Sequence, residues 1–232
     1  MDGKERALIV GAGVGLSAAL ARRCAKEGMA VVLAARDAQK LAEFAREIGA
    51  TAVACDASRR ADVERLFAEV DAGGDRLDLV VYNASGRARG PIAELDPDEV
   101  ERSLMVTAFG GFLVAQQAAR RMLKQGHGTI LLTGASAGVK GYPRSAPFAM
   151  GKFALRGLAQ SMARELHPQN VHIAHIVIDG SIARPNDPRL AERGPDAMLS
   201  ADAIADTYFH LHRQHRSAWA WEIELRPWVE TF

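Results

Sequence analysis

Short, continuous apolar runs alternate with longer amphipathic stretches along almost the whole chain. Residues 7–10, Ala-Leu-Ile-Val, read as a buried strand, and 16–27 as a helix with small residues on its early turns. A second strand is expected at 30–34 and a third at 51–54, separated by a helix over 37–48 that Gly49 ends. A helix over 61–70 leads to a fourth strand at 77–82. Pro97 begins one long helical stretch that runs to about Lys124. Gly128 opens a fifth strand ending at Thr133, and Pro168 stops a second long helix over 146–166. A sixth strand at 171–178, a helix at 200–213 and a last strand at 218–225 complete the pattern.

Strands that are apolar on both faces need cover on both faces. Alternation with helices therefore predicts a parallel sheet between two helical layers. Right-handed crossovers make this a Rossmann-like, doubly wound α/β/α fold. Nothing in residues 1–232 looks like a linker, repeat or low-complexity tract, so one domain is expected. One irregular stretch, 184–199, is rich in Pro, Asp and Arg. It follows the sixth strand, at the sheet end where such folds bind ligands. It reads as a segment covering a substrate, with a plain surface loop as the alternative.

Composition narrows the partners. Of 232 residues, 48% are hydrophobic and 25% charged, as in an ordinary globular protein. Lys plus Arg total 29 against 28 Asp plus Glu, a net charge of +1 that offers no footprint for nucleic acid. The opening Met1-Asp2-Gly3-Lys4-Glu5-Arg6 is charged and lacks a signal-peptide core. No apolar run approaches the roughly 20 residues of a membrane span. A cytoplasmic protein without a membrane partner is expected. Cys24 and Cys55 are too few for a disulfide framework or a zinc site and read as reduced, buried thiols.

The first strand runs into Gly11-Ala12-Gly13-Val14-Gly15-Leu16-Ser17 and then a helix. Glycines let the backbone turn tightly and bring N–H groups up to an anion, and the helix N-terminus adds its positive dipole end. After the first strand of an alternating fold this is a dinucleotide-site signal. At the end of the second strand, Ala35 stands where an acid would bind an adenosine ribose. Arg36 follows, and its planar fork suits a 2′-phosphate. That reading favours NADP(H) over NAD(H), although Asp37 is also within reach of a ribose.

Gly11-x-x-x-Gly15-x-Ser17 resembles the TGxxxGxG motif of short-chain dehydrogenases/reductases, with Val10 for the Thr and Ser17 for the last Gly. The resemblance extends in order over about 1–225. Asp56-Ala57 is similar to the family's adenine-contacting Asp. Asn83-Ala84-Ser85-Gly86 is similar to its NAG motif, which lines the cofactor cleft. Gly128-Thr129-Ile130 begins the fifth strand as the family does. Asp179-Gly180-Ser181-Ile182 stands where the family has Pro-Gly and a nicotinamide-contacting Ile, and Phe148-x-x-x-Lys152 where it has Tyr-x-x-x-Lys. The resemblance implies a nicotinamide cofactor held by Gly11, Gly13, Val14, Gly15, Leu16, Arg36, Asp56, Ala57, Asn83, Ala84, Ser85, Lys152, Gly180 and Ile182. It also implies hydride transfer to or from a small carbonyl or alcohol.

The same resemblance exposes a gap. The family's proton donor is the Tyr, set four residues before the Lys so that both share one helix face. Here that position is Phe148, which has no exchangeable proton. The substrate-orienting Ser is replaced by Ala135, and the relay Asn by Thr107. Ser136, next to Ala135, is expected to point elsewhere. Lys152 is retained. Tyr142, ten residues before it, has a phenol that either faces the cleft or packs beside Pro143. Ser145 occupies the Tyr position of divergent enoyl reductases and is a poor acid. Tyr82 is expected in the core, and Tyr208 at the surface or an interface. Two functions remain open: an NADP(H)-dependent oxidoreductase with a non-standard site, or a catalytically silent NADP(H)-binding sensor or scaffold.

Other constellations are weaker. His172 and His175 lie three apart on a strand and so face opposite sides. His210, His212 and His215 read as solvated or interfacial, and His127 as an exposed turn residue, so no metal site is expected. Ala135-Ser136-Ala137-Gly138 lacks the G-x-S-x-G elbow of a nucleophilic serine. Trp219, Trp221 and Trp228 cluster around an apolar edge strand that needs cover. In the resembling family this region and the helix bearing Lys152 build oligomers, which implies a homodimer or homotetramer.

Overall fold

The computed structural model describes residues 3–74, 76–184 and 187–231. Seven parallel strands form a single sheet: β1 (Arg6–Val10), β2 (Ala30–Ala35), β3 (Thr51–Ala54), β4 (Leu79–Tyr82), β5 (Gly128–Thr133), β6 (Val171–Ile178) and β7 (Glu222–Leu225). Their order is β3-β2-β1-β4-β5-β6-β7. The helices are α1 (Leu16–Lys26), α2 (Ala42–Glu47), α3 (Arg60–Ala72), α4 (Pro97–Leu104), α5 (Gly110–Gln125), α6 (Ala146–Leu166), α7 (Arg189–Arg193) and α8 (Ala201–Arg213). The expected Rossmann-like α/β/α fold is therefore the observed one.

Strand periodicity builds two cores. Leu8, Val10, Val80, Tyr82, Ile130 and Leu132 face one layer, with Phe67, Val114 and Leu155. Their neighbours Ala7, Ile9, Leu79, Val81 and Leu131 face the other, with Leu20, Ile204 and Tyr208. Runs that looked uniformly apolar are thus split residue by residue between two hydrophobic layers. The chain winds outward from β1 to β3, then returns to place β4 on the other side of β1. The carboxyl ends of β1 and β4 flank that reversal, where this topology opens a crevice.

Three expectations of local structure are corrected. The long helix expected from Pro97 to Lys124 is broken. α4 ends at Leu104, residues Met105–Phe109 widen into a π-helical turn, and α5 begins at Gly110. The Tyr82 hydroxyl donates to the Val106 carbonyl at this turn. A Cβ on Gly110 would sit 2.5 Å from the same hydroxyl and 2.8 Å from the Ala57 carbonyl. The turn widens where the buried Tyr82 phenol reaches the Val106 carbonyl. The fourth strand begins at Leu79 rather than Leu77, because the Leu77 N–H and carbonyl bond the Gln125 side-chain amide at 3.0 and 3.2 Å.

The last strand begins only at Glu222, after a 3-10 turn, Arg216–Ala218. Trp219 leaves the strand path to stack on His172, with centroids 4.7 Å apart and planes 2° off parallel. Its indole N–H donates to the Gln214 carbonyl at 3.0 Å. β7 is an edge strand, as the alternation suggested. Both cysteines are free and buried, and burial raises Cys24 to about 12 and Cys55 to about 11. No helix of the described residues is long and apolar enough to cross a membrane.

Candidate active site

Two adjoining clefts, of about 780 and 880 Å³, open at the carboxyl ends of the strands. They share Gly11, Gly13, Asn83, Ser85 and Arg87. One is lined by Val14, Ala35, Arg36, Asp56, Ala57 and Ala84. The other is lined by Gly15, Leu16, Ala135, Phe148, Lys152, Gly180 and Ile182. The structure thus brings every residue expected at the cofactor into one continuous lining. Of the three positions expected to replace the family's Tyr, Ser and Asn, it brings in Phe148 and Ala135. Thr107 does not line the cleft.

The glycine turn is built for close approach. Gly11 has φ +84°, and a Cβ there would lie 2.3 Å from the Ala84 backbone nitrogen. That contact seats the turn against the Asn83-Ala84 segment, which continues β4. A Cβ on Gly13 or Gly15 would instead meet nothing within 4 Å. Ser17, where the resembling motif has Gly, is buried. Its hydroxyl donates to the Gly11 carbonyl at 3.1 Å and accepts from the Asn83 amide at 2.7 Å. The substitution therefore ties turn to strand and leaves the glycine face clear. No side chain caps α1, and its first turn carries no acid. A backbone cradle at a helix N-terminus with an empty, side-chain-free face fits a pyrophosphate.

At the outer end, Arg36 is exposed and lines the cleft. Asp37 pairs with Lys40 at 3.3 Å, and that contact holds the Asp37 carboxyl below its usual range. Asp56 accepts from the Ser58 N–H and hydroxyl at 3.0 and 2.7 Å, which fixes it at the end of β3.

At the inner end, α6 presents Phe148 and Lys152 on one face. Phe148 is 7% exposed and Lys152 only 3%. The Lys152 ammonium donates to the Thr133 carbonyl at 2.7 Å and lies 5.7 Å from the Phe148 ring centroid. Burial, and then the positive charge of Arg87, lower Lys152 from 10.5 to about 7. The Thr107 hydroxyl sits in the π-helical turn and accepts from the Gly86 N–H at 2.9 Å. It braces the backbone of Gly86, a residue of the outer cleft, without itself lining either cleft.

Several expectations are corrected here. Tyr208 is fully buried rather than at a surface or interface, and its hydroxyl donates to the Thr133 side chain at 2.9 Å. Burial raises its phenol well above the ordinary value. It braces, from behind the sheet, the residue that holds Lys152. His212 is not solvated: it packs at the Thr129 hydroxyl, 3.0 Å away, and burial lowers it to about 4. Ser136 lines the cleft beside Ala135 rather than pointing elsewhere. Tyr82 is core, as expected. Tyr142 is 41% exposed and lines the inner cleft; the Lys140 ammonium lies 5.7 Å from its ring centroid, and the neighbouring phenol raises that lysine. Ser145 is buried at the start of α6.

The segment 184–199 contributes Arg184, Arg189 and Arg193 to the inner cleft and contains α7; its Pro185 and Asn186 lie outside the described residues. Among the described residues no group of three His, Cys, Asp or Glu side chains is placed to hold a metal ion. Arg87 was missed from the sequence. Its guanidinium carbon lies 4.3 Å from the Phe148 ring centroid. The signal was present in Arg87-Ala88-Arg89, a basic pair directly after the Asn83-Ala84-Ser85-Gly86 motif.

The geometry defines a doubly wound α/β protein with a glycine-lined cleft at its strand reversal, and comparison with known proteins makes the class specific. A family model described as short chain dehydrogenase matches residues 5–183. A short-chain dehydrogenase/reductase of Hericium erinaceus is 33% identical over 195 residues, which cover 80% of this chain and 77% of that one. A crystal structure of a short-chain dehydrogenase from Rhodopseudomonas palustris superposes with a TM-score of 0.84 at 33% identity, covering 97% of this chain and 99% of that one. A metagenomic short-chain oxidoreductase in complex with NADP gives a TM-score of 0.84 at 28% identity, covering 97% and 98%. The chain belongs to the short-chain dehydrogenase family.

Proposed function

We propose that this chain is an NADP(H)-dependent oxidoreductase acting on a small carbonyl or alcohol. One observation carries the reading. A buried lysine and a side-chain-free glycine cradle lie in one cleft, at the point where the sheet reverses its strand order. A nicotinamide dinucleotide, when bound there, supplies the hydride. The N–H groups of the turn from Gly11 to Leu16 bind its pyrophosphate. Arg36 engages a 2′-phosphate, a role favoured by Asp37 being already paired with Lys40. Asp56 and Ala57 border the adenine, while Gly180 and Ile182 border the nicotinamide. Lys152 holds the ribose hydroxyls. Its titration near neutrality also lets its ammonium group move a proton without Phe148. Tyr142, which lines the inner cleft, offers a phenol at that end.

Fluorescence titration with NADPH and NADH tests the cofactor. Tighter NADPH binding is expected, and no binding of either at millimolar concentration would refute it. NADPH oxidation over a panel of carbonyl compounds, lost in Lys152→Ala, tests turnover.

A second reading, a silent NADP(H)-binding sensor or scaffold, is favoured by Thr107. Its hydroxyl accepts from the Gly86 backbone, and its side chain lies outside the cleft lining, away from the place a relay would need. Nucleotide binding with no hydride transfer to any carbonyl would establish it. In either case we infer a homodimer or homotetramer in which a second copy covers the exposed Met150 and Phe153 of α6 and Phe112 of α5. Light scattering tests this, and a monomer would refute it.

A further inference from the structure

Phe148 is flanked by two cations, and among the described residues neither pairs with an acid. Arg87 lies 4.3 Å from its ring centroid and Lys152 5.7 Å. The charges that bear on them are positive: Arg89 acts on Arg87, and Arg87 on Lys152. Full burial and then Arg87 lower Lys152; partial desolvation and then Arg89 lower Arg87, whose side chain remains exposed. At Lys152 folding has therefore accepted a cost that an incoming anion relieves, while Arg87 stays exposed to meet one.

The surplus continues to the cleft mouth. Arg89, Arg184 and Arg193 line it, and none forms an ion pair among the described residues. Arg189 differs, because Asp187 holds it through two bonds at 2.8 and 2.5 Å. The acids on the lining do not balance the rest. Asp179 is engaged by Lys140 at 3.8 Å and Arg226 at 3.2 Å, leaving Glu230. In a chain whose net charge is only +1, this positive surplus is local to the cleft. A concave site lined by one sign of charge concentrates ligands of the opposite sign.

We propose that the substrate of this cleft carries a carboxylate, which Arg87 grips against the face of Phe148 while Arg89, Arg184 and Arg193 draw it in. This assignment rests on the inner cleft being the substrate end of the proposed oxidoreductase site. A guanidinium offers paired N–H donors whose spacing matches the two oxygens of a carboxylate. Its position over an aromatic ring restricts its freedom, so less is lost on binding. The carboxylate lies beside Lys152, so the group that orients the substrate also compensates the buried ammonium.

The test is calorimetric titration of the full chain with pyruvate, its uncharged methyl ester and inorganic phosphate, each with and without NADP. Arg87→Gln and Arg87→Lys are titrated alongside the parent, with thermal melts to verify folding. Pyruvate is expected to bind the parent about tenfold or more tightly than the ester. Arg87→Gln is expected to weaken pyruvate by about tenfold or more, and Arg87→Lys by less, with NADP affinity unchanged in both. Equal binding of acid and ester would overturn the proposal, as would phosphate binding more tightly than pyruvate. An Arg87→Gln loss as large for NADP as for pyruvate would assign the guanidinium to the nucleotide and also overturn it. Failure of the parent to bind NADP would refute the cofactor reading alone, because the titrations without nucleotide still decide whether the cleft selects carboxylates.

Discussion

Lys152 makes the protein less stable in its charged form, and the size of that effect can be worked out. Burial lowers it from 10.5 to about 7, at only 3% exposure. The difference corresponds to about 5 kcal/mol of binding free energy for the proton, lost on folding. Its sign follows from linkage. Between those two values the unfolded chain holds the proton that the folded chain has released. Stability therefore rises with pH through that window. Below about pH 7 both states are protonated and the full cost is present. At about pH 6 the cost is about 5 kcal/mol, and at about pH 9 about 2 kcal/mol.

Lys152→Met removes the titration while keeping a flexible side chain of similar length. It also removes the bond to the Thr133 carbonyl, but that loss is nearly independent of pH. Urea unfolding of both proteins without nucleotide gives their stability difference at each pH. The parent is expected to gain about 3 kcal/mol relative to Lys152→Met between about pH 6 and 9. The same difference at both pH values would refute the burial argument and, with it, a proton-moving role for Lys152.

Phe148→Tyr places a phenol between Arg87 and Lys152, whose charges favour its ionised form. Carbonyl-dependent NADPH oxidation is expected to rise by about a hundredfold in steady-state assays. Arg36→Gln is expected to weaken NADPH by about 1.5–3 kcal/mol in fluorescence titration and leave NADH unchanged, as loss of a charge-assisted contact to a 2′-phosphate requires. Gly11→Ala forces a side chain onto φ +84° and to within 2.3 Å of the Ala84 nitrogen. A cost above about 2 kcal/mol is expected, seen as a lower Tm in thermal melts.

Local chemistry made much of the site legible in advance. The turn from Gly11 to Ser17 announced itself because tight turns and anion cradles need glycine. Phe148 and Lys152 were readable as a pair because residues four apart on a helix share a face. Ser17 was readable only as a departure. Its role depends on Asn83, which the sheet brings alongside from another strand. Thr107 was legible as a substitution, while its commitment to Gly86 depends on a helix widened around Tyr82. Tyr208 and His212 looked like surface residues on a polar helix, yet α8 turns both toward Thr133 and Thr129 on β5.

The sequence by itself determined the layered sheet, because burial on both faces of a strand appears as a continuous apolar run. It also fixed that the residue four before Lys152 is Phe148, a side chain without an exchangeable proton. Tertiary structure alone decided what surrounds Phe148. Arg87 follows β4 and Phe148 lies on α6, and the fold sets the cation over the ring. The cost of burying Lys152 is likewise absent from any local pattern. It arises from the dielectric and the charges that distant segments bring together.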